Sequence, residues 1–254
     1  MKDIFDTHAH YNDPAFDEDR DQLLDAIFQG DVWAVVNQGT DIASSQWSIE
    51  YARRYSGMYA AVGLHPECLD ENSLSDIAVI KELAADEKVV AIGEIGLDYY
   101  YNVPRDLQKK VFIRQLELAA ELGLPVNIHD REAHGDTMEI LRRYKPRGIL
   151  HCFSGSPEMA EEIVKLGMYI GIGGVVTFKN ARKTVETVER IPVEHILLET
   201  DCPYLAPVPK RGKRNDSSNI LYVAERIAEI KGMKTEEVLK ATKINAGRVY
   251  NVSV

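Results

Sequence analysis

Two histidines separated by one residue, His8 and His10, close an apolar run that begins at Asp3. Strand residues two apart point to the same side, so the two imidazoles can face one point. Imidazole nitrogens at that spacing suit zinc, manganese or iron. A second run, Val89 to Ile95, is β-branched and apolar, as expected of a strand buried on both faces, yet it carries Glu94 between Gly93 and Gly96. A glutamate there is costly unless a lysine, an arginine or a metal ion meets it. His129, His151 and Asp201 close three further apolar runs. Singly, each reads as a hydrogen-bonded rim residue; together they point to one shared site with Glu94 at its centre. Four histidines and two carboxylates are too many for one ion that must keep an open position. They suit two ions, roughly 3.5–4 Å apart, with Glu94 bridging, able to activate water and stabilise a leaving oxygen in phosphodiester cleavage.

The elements that must position these groups are eight strand-like runs: Asp3–His8, Val32–Gln38, Tyr59–Leu64, Val89–Ile95, Leu124–His129, Gly148–Cys152, Met168–Ile172 and Ile196–Asp201. Helix-like stretches alternate with them, which predicts a parallel α/β sheet. A length of 254 residues suits one closed (β/α)8 TIM barrel, and the chain reads as a single domain over 1–254. No GxGxxG follows the first run, which weakens an open doubly wound sheet. Pro104 suits the first turn of a helix that Gly123 stops, Ser156-Pro157 opens another, a stripe from Ile220 ends at Gly232, and a last helix begins near Thr235. Glu94, the histidines and Asp201 then lie at the carboxyl ends of strands one, four, five, six and eight, the face on which barrels hold their active sites.

Strand alternation sends Cys152 and Cys202 outward as small core residues. It points Asp6 and Glu199 inward, below the ligands, as carboxylates that could orient them. His65, at the end of strand three, could hydrogen-bond a phosphate or be structural. His134 could line the pocket, and His195 sits at the far face. Lys210, Arg211, Lys213 and Arg214 put four cations into five residues just beyond Asp201, a candidate phosphate clamp that Arg131 could join. Tyr99, Tyr100, Tyr101 and Phe153 offer faces for bases to stack on, or close the rim. A net charge of −10 argues against wrapping a long duplex but allows a nucleic-acid end held by few contacts. The three cysteines include no CxxC pair, as suits a cytoplasmic chain; the Met1-Lys2-Asp3 start has no leader layout, and no run predicts a membrane span.

The runs Asp6-Thr7-His8-Ala9-His10, Gly63-Leu64-His65-Pro66, Gly93 to Tyr99, Ile128-His129, His151 to Gly155, Glu199-Thr200-Asp201 and Asn245-Ala246-Gly247-Arg248 resemble the TatD family of metal-dependent deoxyribonucleases, among the amidohydrolase-like barrels. The resemblance implies two divalent ions (Mg, Mn or Zn), one with His8, His10, Glu94 and Asp201, the other with Glu94, His129 and His151. It also implies hydrolysis of nucleic-acid phosphodiesters, often from a 3′ end. Together these features read as a deoxyribonuclease that trims single-stranded or frayed ends, with Asp201 accepting the proton of the attacking water. In the family pattern a histidine usually stands at the position of Lys210 and a proline at that of Ser217. A hydrolase of the same fold acting on a lactone, amide or aminoacyl ester is the nearest alternative. A scaffold that binds metal and nucleic acid without turnover is the alternative of another class.

Overall fold

All eight apolar runs are strands in the computed structural model, which describes residues 3–254; the reading of Met1 and Lys2 as a leader-free start lies outside the described residues. The strands are β1 (Ile4–Ala9), β2 (Val32–Gln38), β3 (Met58–Val62), β4 (Val89–Asp98), β5 (Val126–Arg131), β6 (Gly148–Leu150), β7 (Tyr169–Ile172) and β8 (Ile196–Leu198). Helices alternate with them: α1 (Arg20–Gln29), α2 (Ile42–Arg54), α3 (Ser73–Leu83), α4 (Arg105–Leu122), α5 (His134–Tyr144), α6 (Pro157–Lys165), α7 (Arg182–Arg190) and α8 (Ile220–Lys231), with α9 (Thr235–Tyr250) following. The strands form one parallel sheet in chain order, the arrangement of a (β/α)8 barrel. Contacts divide the chain into two compact units, Met1–Val36 with Cys152–Lys165 and Tyr169–Val254, and Asn37–His151 with Leu166–Met168.

In the first unit β8 leads back to β1. Asp201 N donates to His8 O and His10 N to Cys202 O, each at 2.9 Å. Asn245, from the run near the C-terminus, donates through Nδ2 to the carbonyls of Val193 and Ile196 at 2.8 and 2.9 Å. Tyr250 donates its hydroxyl to Thr7 O at 3.1 Å. These bonds satisfy carbonyls at the start of β8 and within β1, and so tie α9 to the two strands that lead to candidate ligands.

In the second unit β4 is buried along its whole length, as its β-branched run requires. Gly96 sits opposite His129 with φ +147°, and a Cβ there would lie 2.0 Å from the His129 carbonyl oxygen. Only glycine allows that approach. The expected helix stops hold: Gly123 closes α4 at φ +66° and Gly232 closes α8 at φ +64°. Asp41 and Ser44 exchange reciprocal bonds of 2.7 and 2.9 Å at the start of α2.

Several strand bounds differ from expectation, with a consequence for the site. β6 ends at Leu150 and β8 at Leu198, so His151 and Asp201 lie on the turns beyond them. Cys152 and Asp201 take left-handed conformations, φ 42° and 57°. Past those points alternation no longer decides where a side chain points. β4 and β5 instead run further, pairing through Leu97–Asp130 and Asp98–Arg131.

Candidate metal centre

The sequence-derived ligands fall into two clusters, one in each unit. In the first, His8 Nε2 and His10 Nε2 are 3.1 Å apart. Asp201 Oδ1 lies 3.4 Å from His10 Nε2 and 3.8 Å from His8 Nε2. Alternation on β1 brings the two rings together, and the left-handed Asp201 turns its carboxylate onto them. In the second, Glu94 Oε1 lies 2.9 Å from His129 Nδ1 and 2.8 Å from His151 Nε2, and the two ring nitrogens are 3.2 Å apart. Donors bound about 2.0–2.2 Å from a common ion at octahedral or tetrahedral angles stand roughly 3–3.6 Å from one another. Both nitrogen–oxygen sets have close to that spacing, so their residues fit a divalent ion.

His129 shows which of its nitrogens would serve. Its Nδ1 belongs to the cluster, while its Nε2 meets Asp98 Oδ2 at 2.8 Å. Burial works against a charge on this ring, but hydrogen bonds to Asp98 and Glu94 outweigh it and push His129 up to about 10. Burial likewise opposes ionisation of Asp98, and its bond to His129 wins, holding that carboxyl below its ordinary value. With an ion on Nδ1, the Nε2–H would still donate to Asp98, fixing ring orientation and tautomer. Asp98 is a candidate site residue that sequence reasoning missed. The available signal was its place four residues after Glu94, on the same face of one strand.

Asp6 supports the first cluster from below. Its carboxylate accepts from the backbone N–H groups of His8 (3.2 Å) and Thr200 (3.1 Å), and from the hydroxyls of Thr200 and Ser217, both at 2.7 Å. Full burial outweighs these four donors and raises Asp6 to about 6. One buried side chain thus ties the end of β1 to the turn that presents Asp201. Ser217, where the family pattern has proline, also meets the Tyr11 hydroxyl at 2.8 Å. Glu199 Oε1 accepts from Cys152 N at 2.5 Å, and a Cβ on Gly171 would lie 2.1 Å from Glu199 Oε2.

His65 lies beside the second cluster, with Nε2 3.6 Å from Glu94 Oε1. Its Nδ1 accepts from Glu67 N at 3.2 Å, which leaves Nε2 carrying the proton in the neutral ring. In that tautomer His65 is a donor rather than a ligand. Arg131 lies over the rings of Tyr100 (3.9 Å) and Tyr101 (5.7 Å), both exposed. In the loop after β8, Arg211 and Lys213 are exposed and Lys210 is half-buried. Arg214 is engaged elsewhere, with its NH1 and NH2 on the two carboxylate oxygens of Asp19 at 2.7 and 2.6 Å. His134 pairs with Asp130 at 2.7 Å, and the ring of His195 lies 5.5 Å from that of Tyr169, outside both clusters. Cys202 is fully buried, as a core thiol would be, and Cys152 is half-buried. Among the described residues, no helix is long and apolar enough to cross a membrane.

A family model described as TatD related DNase matches residues 5–251. The chain is similar to a Bacillus subtilis protein named uncharacterized metal-dependent hydrolase YabD, 45% identical over 98% of this chain and 100% of that one. It is 34% identical to a protein of Escherichia coli K12 named 3′-5′ ssDNA/RNA exonuclease TatD, over 98% of this chain and 100% of that one. The crystal structure of the TatD homolog YJJV from Escherichia coli K12 superposes with a TM-score of 0.92 at 32% identity, covering 99% of each chain.

Proposed function

We propose, for a chain that belongs to the TatD related DNase family and is a metal-dependent hydrolase, that it removes nucleotides from the ends of single-stranded or frayed DNA. The observation that carries this reading is the pair of clusters, each joining histidine nitrogens to a carboxylate oxygen at spacings that fit a divalent ion. In this reading residues 1–254 work as one catalytic domain with two ions. His8, His10 and Asp201 hold one, and Glu94, His129 and His151 hold the other. A part for Glu94 at both ions follows from the family resemblance. Divalent ions so held supply Lewis-acid polarisation of a phosphoryl oxygen and lower the pKa of water.

The chain's own residues do the rest. Asp201, with a side chain 20% exposed, receives the proton of the attacking water at its carboxylate. His65 presents its Nε2–H to a phosphate oxygen. Lys210, Arg211 and Lys213 hold the phosphate beyond the scissile bond, because exposed cations such as Arg211 and Lys213, with the half-buried Lys210 beside them, attract polyanion without a large desolvation cost. Tyr100 and Tyr101, with Arg131 over them, offer faces for the terminal base. The 34%-identical relative named as a 3′-5′ ssDNA/RNA exonuclease supports this direction and substrate class.

The test is a panel of 3′- and 5′-labelled DNA and RNA strands beside lactone, amide and aminoacyl-ester substrates. Each is assayed after chelation and after return of Mg, Mn or Zn. Release of mononucleotides from the 3′ end of a single strand, abolished by chelation and restored by metal, is the expected result. Turnover confined to esters or amides overturns the nuclease reading.

A further inference from the structure

The basic loop after β8 does not stand alone. Val208 N donates to Thr177 Oγ1 at 2.9 Å, and the Arg211 guanidinium lies 4.2 Å from the Phe178 ring centroid. The loop is therefore continuous with the turn after β7, which runs Phe178-Lys179-Asn180-Ala181-Arg182-Lys183 and contains three cations and no acid. Phe178 is half-buried, and Lys179, Arg182 and Lys183 are exposed. A cleft of about 520 Å³ opens there, lined by Phe178, Lys179 and Arg182 and also by Glu186, Glu189 and Arg226.

The charges on this surface are unspent. Arg190 is neutralised by Glu158, Glu161 and Glu186, Arg226 by Glu229, and Arg214 by Asp19. Lys179, Arg182, Lys183, Lys210, Arg211 and Lys213 form no ion pair among the described residues. On a chain of net charge −10, a polyanion is repelled except where cations gather without partners. An aromatic face with an arginine across it, set in such a patch, matches how bases and backbone of a single strand are held together.

We propose that the surface formed by Phe178, Lys179 and Arg182 with Arg211 is a binding track for single-stranded nucleic acid. It carries the part of the strand that is not being cut away from Asp201 and over the turn after β7. Lys179 and Arg182 neutralise successive phosphates, and one base stacks on Phe178. The track rests on the nuclease reading, and it makes hydrolysis depend on strand length where the ligand clusters alone would not.

The experiment compares Lys179→Ala/Arg182→Ala and Phe178→Leu with the wild-type metal-loaded protein. The probes are bis(p-nitrophenyl) phosphate, a thymidine dinucleotide, a thymidine strand of about twelve residues and an abasic strand of the same length. In the double variant KM for the long strand should rise about tenfold, and the log–log salt slope of its binding should flatten by about 1.4, two phosphates at roughly 0.7 each. The dinucleotide and the aryl ester should be turned over as by wild type. Phe178→Leu should weaken binding of the long thymidine strand severalfold and leave the abasic strand unchanged. Persistence of the length preference and salt slope in the double variant overturns the track and leaves the nuclease reading standing. A wild-type chain that hydrolyses the aryl ester yet neither binds nor cuts either strand overturns both.

Discussion

Around Glu94 the carboxylate is 4% exposed, and the His129 ring is held by a carboxylate at each of its nitrogens. Around Asp201 the carboxylate is 20% exposed, and the two imidazoles, set edge to face with each other, come from the end of one strand and the residue just past it. The first arrangement is closed and heavily braced, with Asp98 behind His129 as Glu94 stands before it. The second is open to solvent at its acid and braced from below, through Asp6. Bracing fixes a ligand and shields a charge; exposure lets protons and substrate reach it. In the proposed function, the contrast favours holding of metal chiefly by the Glu94 cluster and proton transfer by the Asp201 cluster.

Glu94→Gln is the sharpest way to break that contrast. Removing the charge from a buried carboxylate between two histidines should release the ion from its cluster. Activity should fall beyond the ~10²–10⁴-fold that loss of a general base alone produces. Metal analysis of the purified variant beside its turnover checks this, and a variant that keeps its full metal content contradicts it.

Asp98→Asn probes the brace alone. The amide oxygen can still accept from His129 Nε2–H, but without charge. Metal affinity at the Glu94 cluster, or activity, should therefore drop about 10–100-fold while the fold persists. Metal titration followed by isothermal calorimetry measures it. Unchanged affinity would reduce Asp98 to a packing residue.

Most of this was legible in the sequence. The eight strands were visible as apolar runs because a parallel sheet buried on both faces needs them, and every member of the two clusters stood close to the end of such a run, although β4 itself continues four residues past Glu94. Asp98 went unassigned because the expected strand ends at Ile95, whereas β4 continues through Asp98. Asp201 faces its cluster through a left-handed φ of 57°, which a one-dimensional pattern cannot show. Arg214 looked equivalent to Arg211 within the loop, but Asp19, 195 positions away in the chain, claims it. Long-range pairing of this kind is decided by the closed fold, not by local composition.

Proton competition separates the clusters more gently. In the metal-free protein His129 is raised from 6.5 to about 10. A raised folded value means its charge contributes stability fully below the unfolded pKa, and that contribution fades as pH rises through about 10. The melting temperature of chelated protein should thus fall by several degrees between neutral pH and about 10, and metal loading should flatten the fall because the ion displaces the proton. Thermal melts of both forms across that range check the sign. An apo protein that gains stability with rising pH contradicts it.

The division of labour is tested most directly by Asp201→Asn, with metal content per chain and kcat measured on the same sample at saturating metal. Asparagine keeps the shape and an acceptor oxygen but takes no proton from water. The account predicts a folded chain that retains its ions, more weakly at the Asp201 cluster, and a kcat lower by about 10²–10⁴. Near-wild-type turnover with both ions in place would contradict it and move the role of base to another group.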